Sequence, residues 1–149
     1  MTQLCDPAQR RHWLGVLAQA SPVELEQHLA RRALPALHWL RRPETGLMMV
    51  RGRAGGTGAQ FNLGEVSVTR CAVQDDAGRL GVGYVRGRVG RHAELVALFD
   101  LLLQDDIQRA DLLPALIEPL AARQRAARAT AGAQAAATRV EFFTLARGD

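Results

Sequence analysis

The sequence predicts an α+β domain made, in chain order, of an N-terminal helix pair, an antiparallel β-meander of three to four strands, and C-terminal helices that end in an apolar tail. Apolar residues recur at helical spacing before residue 35, at alternate positions between residues 45 and 88, and at helical spacing again from residue 91. Turn-forming segments separate the alternating runs, as they do in hairpin-connected strands. The length of 149 residues suits a single domain, which we place at residues 1–149.

Helical spacing predicts two short helices at the start of the chain. The first covers residues 8–19, and the residues that share its apolar side are Trp13, Val16 and Leu17. Ser21 precedes the second helix as its N-cap, Pro22 takes the first helical position, and Glu24 completes a capping box. Pro35 ends this helix. The residues expected to face inward are Val23, Leu25 and Leu29.

Alternating apolar and polar residues predict three strands, at residues 45–54, 65–74 and 79–88. The segment from Asp75 to Gly78 predicts a hairpin turn between the last two strands. Residues 38–42 are a candidate fourth strand or sheet edge. In the third strand, Gly81 and Gly83 leave one face without side chains, which would let a helix or another chain approach closely.

Helical spacing returns after residue 91. Residues 92–104 predict a helix whose core positions are Leu95, Leu98, Phe99 and Leu102. The acidic pair 105–106 stands where the next helix can begin, and that helix is expected over residues 110–118 and to stop at Pro119. Alanine-rich residues 121–137 predict a helix that packs very closely or projects onto a partner, because it has little side-chain bulk to bury.

The end of the sequence is too apolar to remain in water, since it contains Val140, Phe142, Phe143 and Leu145. Together with the alanine-rich helix, these residues would form a larger exposed apolar patch than monomers usually show. We therefore expect the tail to be buried against this domain or a partner, and the isolated chain to associate into an oligomer.

Positive charge is concentrated in the middle of the chain. All 19 cationic side chains are arginine, and residues 41–91 hold nine of them against four acids. Such a region attracts a polyphosphate, a nucleic acid or an acidic partner. Nucleic acid is the weaker interpretation, because the aromatic residues available there for base stacking are only Phe61 and Tyr84.

The cysteines and the hydropathy pattern indicate a cytoplasmic protein. Cys5 and Cys71 lie far apart and outside any CxxC motif, so neither a zinc site nor a disulfide framework is indicated. Two free thiols suit a reducing compartment. We expect no signal peptide and no membrane association, since no basic-then-apolar leader or membrane-length apolar run is present.

The segment RGRAGGTGAQFNLGE, residues 51–65, combines glycines with two arginines. It is not a Walker A loop, because the protein has no lysine, and not a dinucleotide fingerprint, because a strand follows it where a helix should begin. The glycines between Gly55 and Gly58 can form an anion-binding nest backed by Arg51 and Arg53. An ordinary glycine-rich hairpin connection is the alternative.

No self-sufficient active site is visible in the sequence. The four histidines fall on separate predicted elements, which indicates no metal site. His92, beside Glu94, is the best candidate for acid or base chemistry. Ser21 is explained as a cap, and Ser67 lies within a strand without a nucleophile elbow. These features favour a subunit over an independent enzyme, and a free-standing small-molecule or nucleic-acid binding module is the alternative.

Several stretches resemble one protein family. They are RRHWLGVLAQA, RRPETGLMMVRGRAGGTGAQFNLGEVSVTRCAV, GYVRGR, HAELVALFDLLLQ and VEFFTLARG. In this order they resemble PhnG, the small subunit of the bacterial carbon–phosphorus lyase core complex. The resemblance runs from about Arg11 to Gly148, and the succession of PETGL, GRAGGTG, FNLGE and FFT is specific to that family.

The resemblance implies a role in organophosphonate catabolism. It implies that the chain acts with PhnI, PhnH and the ATPase subunits PhnL and PhnK, and that the complex replaces the adenine of MgATP by a phosphonate. The product would be α-D-ribose 1-phosphonate 5-triphosphate, which the radical iron–sulfur subunit PhnJ later cleaves. MgATP is then a substrate of the complex, and no cofactor or metal is expected on this chain itself.

Eight residues match the family motif and form the predicted substrate- or partner-binding surface: Arg51, Arg53, Gly55, Gly56, Thr57, Gly58, Asn62 and Glu65. The sequence departs from the family at Gly87-Arg88-Val89, where Gly-Arg-Asp is common. We therefore assign no catalytic acid to position 89 from the resemblance, and the catalytic residues are unknown. Whether the glycine loop contacts triphosphate or another subunit is left open.

Overall fold

A computed structural model describes residues 5–139 and confirms the α+β architecture. The helices and strands are α1 (Pro7–Ala18), α2 (Pro22–Leu29), β1 (Leu37–Arg53), β2 (Gln60–Asp75), β3 (Leu80–Arg86), α3 (Gly90–Leu103), α4 (Asp106–Leu112) and α5 (Glu118–Ala137). The apolar tail, residues 140–149, lies outside the described residues, so its burial stays a prediction.

The described strands form an antiparallel sheet in the order β1-β2-β3, which confirms the predicted meander. Residues 38–42 are not a separate strand, because β1 runs without interruption from Leu37 to Arg53. Pro43 is tolerated inside β1 because the pairing with β2 is irregular there: the register shifts between Arg41 and Glu44, and Pro43 has no partner residue. The predicted turn is also confirmed: the Gly78 N–H donates to the Asp75 carbonyl at 3.0 Å, and Gly78 has a φ of 83°.

Helix α3 packs directly against β3 at the two strand glycines. A Cβ added to Gly81 would stand 2.1 Å from the carbonyl oxygen of Ala97, and one added to Gly83 would stand 1.9 Å from that of Ala93. The bare strand face predicted from sequence therefore receives a helix of the same chain. The predicted core positions of this helix are all buried: Leu95, Leu98, Phe99 and Leu102.

A buried carboxylate fastens α1 to the sheet and to α3. Asp100 of α3 is completely buried and accepts hydrogen bonds from Arg10 Nη2 at 2.7 Å, from Trp13 Nε1 at 2.9 Å and from the Val82 N–H at 2.9 Å. These partners satisfy the carboxylate by charge and by hydrogen bonding, as a buried ion requires. Hydrogen bonding to Asp100 raises the pKa of Arg10 above its usual value.

The N-terminal helices differ from the prediction at Val23, in the capping box and at the end of α2, which lies at Leu29 and not at Pro35. The apolar side of α1 is buried as expected, and so are Leu25 and Leu29 of α2. Val23 is 66% exposed, so its predicted inward position is wrong. Ser21 does occupy the N-cap, but its side chain makes no capping hydrogen bond. Glu24 instead pairs with Arg123 of α5, which removes it from the predicted capping box.

The C-terminal helices continue where a stop was predicted. Asp105 caps α4 as expected, and its carboxylate accepts from the N–H groups of Ile107 and Gln108 at 3.1 Å. The predicted stop at Pro119 is wrong: a π-turn, Leu113–Ile117, joins α4 to α5, and Pro119 lies in the first turn of α5. Ile117, which precedes α5, has helical φ and ψ, so the helical backbone continues through the π-turn and past Pro119.

Candidate functional site

The predicted site residues all lie on a hairpin that projects beyond the body of the sheet. Strand β3 pairs with β2 only between Val68 and Gln74, whereas β1 and β2 remain paired as far as Arg53 and Gln60. The arm, defined as residues 46–67, is thus a two-stranded ribbon joined by a glycine-rich loop. A ribbon of two strands is marginally stable in water without a packing partner.

The loop at the tip of the arm has a defined backbone. Ala54–Gly56 form a short 3₁₀ turn in which Gly55 has a φ of 61°, a left-handed value that favours glycine. The Gly58 N–H donates to the Ala54 carbonyl at 3.1 Å, and a Cβ at Gly58 would stand 3.0 Å from that oxygen. Arg53 Nη1 donates to the Gly58 carbonyl at 3.1 Å. Part of the glycine pattern is therefore explained by the turn itself.

One face of the arm gathers the polar residues of the predicted site. Arg51 lies opposite Asn62, Arg53 opposite Gln60 and Met49 opposite Glu65. Residues that are paired across strands, or two apart along one strand, point to the same side of a sheet. We call this side the polar arm face: Arg51, Arg53, Asn62 and Glu65. The structure brings these four together, with all four exposed and the loop beside them. Leu47 and Met49 are also exposed on this side, nearer the base of the arm.

The opposite face of the arm is apolar, and sequence reasoning did not select it. A β-bulge at Leu63 shifts the register between Val50 and Arg51, so that Leu63 has no partner of its own. A Cβ added to Gly52 would point away from the Arg51 side chain, because successive residues of a strand face opposite sides. It would stand 3.8 Å from Leu63 and 3.9 Å from Phe61, so both of these side chains lie on the side away from Arg51. We call this side the apolar arm face: Met48, Val50, Phe61, Leu63 and Val66.

Arg51 and Arg53 of the polar arm face form no ion pair among the described residues, although Glu65 lies on the same face. At the base of the arm, by contrast, the arginines are paired with an acid. Arg41 and Arg70 form ion pairs with Glu44 and lower the pKa of its carboxyl. The arginines nearest the loop thus remain available for an anion.

The other candidates for chemistry have structural roles. His92 is buried, and its Nε2 donates to the Leu17 carbonyl at 3.0 Å, which ties α3 to α1. Val89, where the family commonly has an acid, is the N-cap of α3 and makes no side-chain cap. In the described part of the chain, no group of three or more His, Cys, Asp or Glu side chains could hold a metal ion. No helix among these residues is long and apolar enough to cross a membrane.

Comparison with known proteins gives one family. The family model described as phosphonate metabolism protein PhnG matches residues 8–148 of this chain. A protein of Rhizobium meliloti (strain 1021), named alpha-D-ribose 1-methylphosphonate 5-triphosphate synthase subunit PhnG, is 44% identical over 145 residues. That match covers 95% of this chain and 91% of the relative.

Proposed function

The chain belongs to the PhnG family, and from this premise we propose that it is a subunit of an assembly that replaces the adenine of MgATP by a phosphonate. The product would be α-D-ribose 1-phosphonate 5-triphosphate. The name of the R. meliloti relative and the match over nearly the whole chain support this proposal. In the proposed role the chain assists a reaction whose catalytic groups belong to other subunits.

The proposed partners are a PhnI-type subunit, PhnH- and PhnJ-type subunits, and the ATPase subunits PhnL and PhnK, within the cytoplasm. The observation that carries a subunit role is the arm, which projects from the sheet with exposed side chains on both faces. An element of this kind gains order and stability when it packs against another surface.

We assign the polar arm face to the triphosphate of MgATP. Guanidinium groups bind phosphate oxygens through paired N–H donors, and loop N–H groups can add to them. Arg51 and Arg53 are exposed, and an exposed ion pair contributes little because water and salt screen it. The arginines would therefore act strongly only where another subunit closes over the arm and excludes water.

The test is adenine release from MgATP and methylphosphonate by the coexpressed complex. Arg53→Ala should leave assembly intact, because an exposed side chain contributes little to packing. Loss of one charge-assisted hydrogen bond, about 1.5–3 kcal/mol, should slow the reaction at limiting ATP by about one to two orders of magnitude. Arg125→Ala on α5 is the matched control, since it removes an exposed arginine far along the chain from the arm.

The outcomes separate the two functions considered for the loop. Wild-type turnover in an intact Arg53→Ala complex would exclude a phosphate role for that residue. Failure of the same variant to assemble would instead assign Arg53 to the subunit interface. Adenine release that does not require this chain at all would refute the proposed function.

A further inference from the structure

The apolar arm face lies outside the hydrophobic core, and its large apolar side chains are exposed. Met48 is 42% exposed, Phe61 46% and Leu63 66%. With side chains of roughly 200 Å² each, these three expose on the order of 300 Å² of mainly apolar surface. Patches of that size on soluble proteins commonly mark interaction sites.

The patch continues onto the part of the sheet that faces away from α3. Tyr84 Oη lies 3.4 Å from Met48 Sδ, so the arm and β3 form one surface. Leu80 and Tyr84 on the same side of β3 are 38% and 48% exposed. The resulting apolar strip runs from the tip of the arm to the outer edge strand of the sheet.

The charge around this strip indicates what kind of surface covers it. Between residues 46 and 67 the only carboxylate is Glu65, and it lies on the polar arm face. Glu44, at the base of the arm, lies on the same side as the strip, but it is paired with Arg41 and Arg70. Arg86 is exposed on the same side of β3 as Tyr84, and Arg88 follows at the end of the strand. A second copy of the chain would bring these arginines together. A different chain with carboxylates around an apolar groove would pair with them.

We propose that the apolar arm face is the docking surface for another subunit of the assembly, one that offers an apolar groove edged by carboxylates. This inference rests on the proposed function as a subunit. Because a stable interface buries about 800 Å² on each partner, the strip supplies the apolar centre and the remainder comes from around it. Leu63, pushed outward by the bulge, is the residue whose side chain enters the groove.

Two leucines of the arm provide a matched test. Leu63 and Leu47 are each 66% exposed, but they lie on opposite faces. The full chain carrying Leu63→Ser or Leu47→Ser is coexpressed with the proposed partner subunits, and the affinity is measured by titration of the purified components. Leu63→Ser should raise Kd by about tenfold to a hundredfold, the effect of leaving one leucine unburied, whereas Leu47→Ser should not.

Further measurements distinguish the possible occupants. Arg86→Ala should weaken association at low salt and lose this effect at high salt; association that is indifferent to salt would overturn the carboxylate rim. A self-association of the isolated chain that Leu63→Ser abolishes would identify a second copy as occupant and overturn the proposal. If Leu63→Ser lowers the melting temperature of the isolated chain and Leu47→Ser does not, another segment of the same chain packs on the apolar arm face. That result would also overturn the proposal.

The docking proposal and the proposed function can fail separately. If adenine release requires this chain but Leu63→Ser and Leu47→Ser bind the partner subunits equally well, only the docking proposal is overturned. If adenine release does not require this chain, the proposed function is refuted, and binding through Leu63 would then point to a different assembly.

Discussion

Replacement of Gly83 by alanine tests how closely α3 is held against the sheet. The added Cβ would stand 1.9 Å from the Ala93 carbonyl oxygen and 3.0 Å from Cys71 Sγ. Carbon and oxygen atoms in close contact are about 3.3 Å apart or more, so the helix would have to retreat by roughly 1.4 Å. The obstructing atom belongs to the helix backbone and cannot move away by a change of rotamer.

This displacement should be costly because α3 is buried along most of its length. Close-packed interiors do not absorb such a shift, and overpacking usually destabilises by 1–3 kcal/mol. We expect Gly83→Ala to lower the free energy of unfolding by about 3 kcal/mol or more. Urea unfolding followed by circular dichroism measures this, and a variant recovered only as insoluble protein would agree with it.

Two glycines of the arm serve as controls. A Cβ at Gly46 or Gly64 would meet nothing within 4 Å. Alanine at either position should change stability by less than about 1 kcal/mol, since it only removes glycine's extra freedom in the unfolded chain. Equal unfolding midpoints for Gly83→Ala and Gly46→Ala would show that α3 does not approach the strand as closely as the structure indicates.

Three further predictions concern Val89 and Cys71, which lie near this helix–sheet contact. Val89→Asp should raise stability by about 1 kcal/mol, seen as a higher melting temperature, because Val89 is an N-cap without a side-chain acceptor; no increase would contradict this. Burial raises the pKa of Cys71 to about 11, so at pH 8 its thiol should react with an alkylating reagent at least about a hundredfold more slowly in the native chain than in urea. Because the pKa is raised in the folded state, the free energy of unfolding should fall as pH rises from about 9 to about 11. Cys71→Ala should reduce that slope, and the pKa of Cys5, which burial also raises, contributes to the remainder.

Local patterns predicted most of the fold, because each depends on residues close together in sequence. The apolar side of α1, the turn at Gly78 and the bare face of β3 are of this kind. Long-range contacts decided the rest. Glu24 pairs with Arg123, ninety-nine residues away, instead of completing its capping box. Pro43 lies within a strand because the pairing of β1 with β2 shifts register between Arg41 and Glu44.

The position of the predicted site residues in the fold follows only in part from local patterns. The motif located the arm, but the faces of the arm depend on the bulge at Leu63. Regular pairing would set Leu63 opposite Arg51 and turn Asn62 to the other side, because a shift of one residue reverses the face of every side chain beyond it. The alternating pattern gave no signal for the arm, because the three predicted strands, 45–54, 65–74 and 79–88, have equal lengths, whereas β1 and β2 are more than twice as long as β3.

The two roles considered for the arm, contact with another subunit and contact with triphosphate, involve side chains on different faces. In the proposed arrangement the apolar arm face docks, and the polar arm face remains open toward the triphosphate. The two roles are nevertheless coupled, because Arg51 and Arg53 would bind phosphate strongly only where a docked subunit excludes water. Loss of the apolar contact at Leu63 would then weaken the contribution of Arg53 to adenine release. Loss of Arg53 would leave docking intact without nucleotide, but it would remove the strengthening of docking by bound MgATP, because the coupling between two binding events is reciprocal.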